Sequence, residues 1–303
     1  MQTKHLLIIC GPTAVGKTAL SVELAKHFST EIISADSRQL YKEMSIGTAK
    51  PTVQEMEAVP HHFMDCISIQ QNYTAGDYER EVIKKLDELF TKHDIVIMCG
   101  GTGLYIDAVC KGFDEGIESN AEIKQQISEQ YDLLGLDWLQ NQVKEKDIDF
   151  YNKADINNPQ RLMRALEVCL IAGKPYSSLR KNNSAKRNFS VIKVFINEDR
   201  EVLYEKINKR VDIMMQHDLL KEVESLYPYK NLNALNTVGY KELFDYFDNK
   251  TSLDKAVDLI KQHTRNYAKR QVTWFKNDED CMMFSPNEME KIKAFVEIVL
   301  QHS

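Results

Sequence analysis

The chain of 303 residues has no long uninterrupted apolar run, so nothing in it reads as a membrane-spanning helix. Residues 1–10 show neither a signal-peptide cleavage pattern nor a transit-peptide bias, and a cytoplasmic location is expected. Cysteine is sparse: six residues, none in a C-x-x-C pair, which argues against a zinc site or a disulfide couple. Cys10 and Cys99 end apolar stretches and read as small core residues with reduced thiols. There is no excess of positive charge. The net charge of −6 argues against a general nucleic-acid binder. Internal repeats and low-complexity stretches are absent as well. The length suits one large α/β domain, or a core domain with an insertion. Glycine is scarce too, yet five of its twelve residues fall in two short segments, 11–16 and 100–103.

The first of those segments is Gly11-Pro12-Thr13-Ala14-Val15-Gly16-Lys17-Thr18, directly after the apolar run Leu6–Cys10. The spacing G-x4-G-K-S/T lets successive backbone N–H groups point at phosphate oxygens, with the positive end of the following helix behind them. Lys17 can reach the outer phosphates, and the Thr18 hydroxyl can join a Mg²⁺ shell. A diphosphate or triphosphate is expected here; the motif leaves open which one, and which bond breaks.

Strand and helix patterns alternate through the first third: strand 5–10, helix 17–28, strand 31–35, helix 74–91 and strand 95–99. That order predicts a P-loop type α/β fold, a parallel sheet with helices on both faces and ligands at the carboxyl ends of the strands. Residues 116–188 break the pattern. They read as an all-helical insertion, with Asn158-Pro159 starting one helix and Gly173 ending it. Strand 190–196 resumes the core, followed by helices near 199–226, 239–247, 253–277 and 286–301. The expected organisation is a discontinuous core, 1–115 and 189–303, around the insertion.

Three segments at strand ends carry polar or glycine-rich chemistry: 11–18, 36–41 and 100–105. Asp36 ends the second strand. Its carboxylate can hold Mg²⁺ through water or accept a proton from a nucleophile, or merely cap a turn. Strand 95–99 ends without the acid that many P-loop ATPases carry there, and Thr102 sits in a glycine turn instead. An ordinary glycine turn is the competing reading. Arg161 and Arg164 share one side of a helix, and Lys261, Arg265 and Lys269 line up on another with Arg270 beside them; such sets are most often solvated faces. Residues 173–187 hold five positive charges and no acid, a run that matters only beside a polyanion.

Taken together, several segments resemble the tRNA dimethylallyltransferases, also called tRNA isopentenyltransferases. They are Gly11–Thr18, Asp36-Ser37-Arg38-Gln39-Leu40-Tyr41, Ile46–Pro51, Gly100–Tyr105, Asn158–Val168, Val238–Glu242 and Ala268–Phe275. The resemblance runs in order along nearly the whole chain. It is to the bacterial type, since the zinc-finger tail of eukaryotic relatives is not seen. One departure is His217-Asp218-Leu219, where bacterial members usually carry Gly before the apolar residue.

The resemblance implies transfer of a dimethylallyl group from its diphosphate to N6 of the adenosine on the 3′ side of the tRNA anticodon. Gly11, Pro12, Thr13, Ala14, Val15, Gly16, Lys17 and Thr18 would hold the donor's diphosphate, with Arg210 as a further clamp and Thr18 on Mg²⁺. Asp36 would act as base, with Lys17 and Thr102 as its catalytic partners. Asp36, Ser37, Arg38, Gln39 and Thr102 would touch the target base. Lys124, Gln160, Arg161, Leu162, Met163 and Arg164 would touch the rest of the anticodon stem-loop. A monomer is expected. An adenylate isopentenyltransferase would not need residues 116–188, a small-molecule P-loop kinase would turn over ATP, and a non-catalytic nucleotide- or RNA-binding module would not need Asp36 and Thr102 facing the loop.

Overall fold

Four apolar runs build the middle of a six-stranded parallel sheet. The computed structural model describes residues 3–112, 119–179 and 185–302. In chain order the first elements are β1 (His5–Cys10), α1 (Lys17–His27), β2 (Ile32–Ala35), α2 (Val53–Met56), β3 (His61–His62), α3 (Ala75–Leu89), β4 (Ile95–Gly100) and α4 (Gly103–Lys111). Then come α5 (Ala121–Lys146), α6 (Ile148–Lys153), α7 (Pro159–Ala172) and α8 (Tyr176–Leu179). The chain continues with β5 (Ser190–Ile196), α9 (Arg200–Gln216), α10 (Leu219–Leu226), α11 (Tyr240–Phe247), α12 (Leu253–Lys276), β6 (Cys281–Phe284) and α13 (Met289–Gln301). The strand order is β3-β2-β4-β1-β5-β6, and every pairing is parallel.

The central strand β1 is buried along its whole length, as a parallel strand covered on both faces must be. Its side chains alternate between two cores. Leu6, Ile8 and Cys10 pack with Tyr78, Val82 and Leu86 of α3 and Phe275 of α12. Leu7 and Ile9 pack with Leu20 and Leu24 of α1, Ile207 of α9 and Ile292 of α13. A third cluster joins Tyr41 and Met44 to Leu219, Val223, Tyr240, Leu243 and Ile260.

Two compact units result: residues 1–110 with 186–303, and residues 111–185. The division falls a few residues from the boundaries expected at 115/116 and 188/189. The smaller unit is helical, with its own core of Ile127, Leu139, Val143, Phe150, Leu162, Ala165 and Leu166. Its longest helix, α5, is broken at Gly135, whose φ is 78°.

Three expectations are corrected. β3 and β6 were not foreseen; at two and four residues they are too short for a period-two signal, and they exist as edge strands because β2 and β5 offer them free edges. The helix expected over 199–226 is two helices, α9 and α10, parted at His217-Asp218. Asp218 there adopts φ 67° and ψ 26°, the left-handed conformation that glycine takes without cost. The departure from the family pattern thus falls on a turn that is kept with a less suited residue. Asp218→Ala is expected to lower stability by about 1 kcal/mol while Asp218→Gly leaves it unchanged or raises it, read from urea unfolding. Equal losses in both variants would instead implicate the exposed Asp218–Lys221 ion pair at 2.9 Å.

Candidate active site

The sheet register decides where the polar segments meet. Gly100 of β4 pairs with Cys10 of β1 on one side and Ala35 of β2 on the other. The residues that follow, Gly11, Asp36 and Gly101, therefore leave the sheet at one level and side by side. The three segments expected at strand ends converge in this way.

The phosphate-binding loop wraps onto α1, whose N-cap is Gly16 with no side-chain hydrogen bond. The first amides of α1 are thus left to an external acceptor. Lys17 folds back, its Nζ donating to the Pro12 carbonyl at 2.7 Å. Burial pulls the Lys17 ammonium below its ordinary value; Cys99 and the Asp36 carboxylate oppose that, and the Arg210 guanidinium adds to it. Burial likewise lowers Arg210, against the pull of Glu55 and Asp36. Lys17 and Arg210 thus share an electrostatic neighbourhood with Asp36, and Glu55 acts on Arg210 as well.

Asp36 does cap a turn: its Oδ1 accepts from Arg38 N at 2.9 Å and Gln39 N at 3.3 Å. That fixes the side chain and leaves Oδ2 for other work. Thr102 is held just as firmly. Its amide donates to the Ala35 carbonyl at 3.1 Å, and its Oγ1 accepts from Ser37 N at 3.0 Å. Tyr267 of α12 lies beside Thr102. Burial pushes the Tyr267 phenol up to about 12, with Asp36 adding to the rise and Thr102 opposing it.

Arg38 and Gln39 are spent mainly on architecture. Arg38 Nη1 donates to the Ala234 carbonyl at 3.0 Å, and Gln39 Nε2 to the carbonyls of Thr48 and Ala49, both at 3.2 Å. Of the cations on α12, Lys261 pairs with Asp212 at 2.6 Å and Arg265 with Asn208 at 2.6 Å, tying α12 to α9. Lys269 and Arg270 are exposed.

Within the helical unit, Lys124, Gln160 and Arg161 are exposed. Leu162 is not a surface residue: it is fully buried in the unit's core, so its side chain offers nothing to a tRNA. Met163 is half-buried against the same core. Arg164 Nη1 pairs at 2.8 Å with the buried Glu167, which also accepts from Asn120 N at 3.1 Å, so Arg164 holds the unit together. In the basic run 173–187, Arg180 and Lys181 lie outside the described residues. Arg187 is internal to the core unit, bonded to Glu79 at 2.6 Å and to the Val109 carbonyl at 2.8 Å.

Two residues that sequence reasoning missed shape the site. Gln271 joins the phosphate-binding loop to the glycine turn, accepting from Thr13 N and donating to Gly101 O, each at 2.9 Å. Glu222 accepts from the amides of Ser45, Ile46 and Gly47 at 3.1, 2.7 and 3.0 Å and from the Tyr240 hydroxyl at 2.6 Å. Gly47 is required there, because a β-carbon would stand 2.6 Å from the Tyr240 ring. Two of the recognised segments, 46–51 and 238–242, are thereby one contact. The acid that ties them lies outside both, which is why the pattern hid it.

Comparison with known proteins bears on the family and the fold. Residues 39–278 match the family described as IPP transferase. A tRNA dimethylallyltransferase of Christiangramia forsetii is 49% identical over 290 residues, covering 96% of each chain. The chain belongs to the IPP transferase family. The solved tRNA isopentenylpyrophosphate transferase of Bacillus halodurans is 33% identical with a TM-score of 0.73, covering 99% of this chain and 97% of that one. A eukaryotic dimethylallyltransferase acting on tRNA, at 26% identity, superposes with a TM-score of 0.81 over 99% of this chain and 80% of its own. The family match begins at Gln39, after the phosphate-binding loop and Asp36, but the full-length relatives span both.

Glu222→Ala strands three amides and a phenol. It is expected to cost about 2–4 kcal/mol, since leaving a buried donor unpaired costs about 1–3 kcal/mol and water can reach the exposed Ser45 amide and part of the half-buried Ile46 and Gly47 amides. Denaturant unfolding reads this, and a loss below about 0.5 kcal/mol would mean water replaces the carboxylate freely.

Proposed function

We propose that this chain transfers a dimethylallyl group from dimethylallyl diphosphate to N6 of the adenosine 3′ to the anticodon of tRNA. The observation that carries the reading is the meeting of an anion cradle with Asp36 and Thr102 at one level of the sheet, with no acid ending β4. Membership of the IPP transferase family supports the reaction class, and the relatives' names support tRNA as acceptor.

The chemistry suits the residues. An aromatic amine is a weak nucleophile, because its lone pair is shared with the ring. Attack at an allylic carbon compensates, since positive charge developing there is delocalised. The N6–C1 bond forms, the C1–O bond breaks, the diphosphate leaves, and the N6 proton passes to Asp36 Oδ2. Thr102, fixed by Ser37 N, orients the amine. The loop amides, Lys17 and Arg210 stabilise the negative charge gathering on the leaving group. Lys17 gives up the Pro12 carbonyl for phosphate oxygens. Stacked adenine cannot enter such a site, so the base is flipped out of the loop.

The residues present fit Mg²⁺. The Thr18 hydroxyl makes no hydrogen bond among the described residues, and Asp36 has a spare oxygen. Hard oxygens in such low number suit an ion that keeps most of its ligands as water and phosphate. When bound, the ion would help neutralise the departing diphosphate. Free thiols and a tRNA substrate support a cytoplasmic setting.

Labelled dimethylallyl diphosphate, offered with tRNA, with AMP, or beside ATP and a hydroxyl acceptor, tests the reading. Label is expected in tRNA alone; label in AMP, or ATP turnover, would reject it. Asp36→Ala is expected to lower kcat by about 10²–10⁴-fold with tRNA affinity nearly intact. Near-normal turnover would remove Asp36 as base. Reversing Lys124 and Arg161 to Glu should weaken tRNA binding and flatten its salt dependence by about one unit of log slope per lost phosphate contact. Arg164 is unsuitable for that test, because its loss would strand Glu167. An unchanged slope would place the tRNA surface elsewhere.

A further inference from the structure

Gln271 lies on α12 at 6% exposure, with both ends of its side-chain amide in use. Oε1 accepts from Thr13 N and Nε2 donates to Gly101 O, each at 2.9 Å. The orientation is forced: a backbone amide only donates and a carbonyl only accepts, so a flipped side chain would oppose like with like. The fit is also close. A β-carbon on Gly101 would stand 2.1 Å from Nε2, so nothing larger than hydrogen is tolerated at 101 while Gln271 keeps its place.

The bridge joins two segments with different tasks. Thr13 belongs to the cradle for the donor's diphosphate. Gly101 precedes Thr102 on the acceptor side. β1 and β4 are paired strands, but their pairing stops at Cys10 and Gly100. Beyond that point the ladder no longer sets the distance between the loops. The same face of α12 continues the contact on either side of Gln271. Tyr267 lies beside Thr102, and the Trp274 indole covers Gly103 while donating to Asp107 Oδ2 at 3.1 Å. Spacings of four and three residues put these three side chains on one side of the helix.

Resting on the prenyl-transfer reading above, the geometry points to Gln271 as a positioning residue for that reaction. It touches neither reactant. It sets the spacing between the donor cradle and the acceptor turn, and so the line along which N6 meets C1. Misplacement by an ångström costs a reaction of this kind on the order of 100-fold in rate.

Two variants test this. Gln271→Met keeps the length and removes both hydrogen bonds. Its kcat is expected to fall about 10- to 100-fold, with KM for tRNA and affinity for inorganic diphosphate within about threefold of wild type and a cooperative melt retained. Gln271→Glu can accept from Thr13 when ionised but donates to Gly101 only when protonated. Its deficit relative to wild type should therefore shrink as pH falls, a response that a packing role would not give. Gly101→Ala should reproduce the Met variant by expelling Nε2, yet add little further loss in a Gln271→Ala background. A wild-type enzyme that fails to prenylate tRNA would sink the reaction reading itself. An active wild type with Gln271→Met within twofold in kcat, a Glu deficit flat with pH, or additive losses at 101 and 271 would overturn the positioning role alone.

Discussion

Everything at the site hangs on one register. Cys10, Ala35 and Gly100 stand level across three parallel strands, and the chain changes from ladder to loop at that line. A slip of one residue in β4 would turn its side chains to the opposite face and carry Thr102 away from Ser37. Gly100 is part of the constraint, since a β-carbon there would meet the Ala35 carbonyl at 2.2 Å. The strands specify the register strongly because both faces of the sheet are buried. Site geometry is thus inherited from core packing, and the loops need to hold position only over a few residues.

Charge is arranged with the same restraint. Burial holds Lys17 and Arg210 below their ordinary values, opposed by the Asp36 carboxylate and, at Arg210, by Glu55 as well. An anion placed in the cradle would offset the cost of burying these cations, more strongly than it would in water. The gain would be largest for a diphosphate whose charge grows as the bond to carbon breaks.

The apolar strands were legible because fully buried parallel strands read as continuous Val/Ile/Leu runs. The turn from β1 into α1 was legible because its glycine signal is local. What the sequence hid was contact across long separations. Gln271 meets Thr13 across 258 positions and Gly101 across 170, and no spacing rule reports such a pair. Glu222 reaches Ser45 across 177. Leu162 shows a different kind of miss. The run Gln160–Arg164 crosses both sides of α7, and Leu162 belongs with Ala165, Leu166 and Cys169, which recur at helical spacing and form the buried face. A motif read as one block hides this periodicity, which separates its inside from its outside.

That separation bears on how a chain of net charge −6 handles a polyanion. Many of the cations that looked available are already paired: Arg164 with Glu167, Arg187 with Glu79, Lys261 with Asp212. Exposed ones remain in both units, among them Lys124 and Arg161 in the helical unit and Lys269 and Arg270 in the core unit. The net negative charge limits non-specific affinity, and the acidic part of the surface repels misplaced RNA. Discrimination then has to come from shape and from the fit of the acceptor in the site, which suits an enzyme of a family that acts on tRNA.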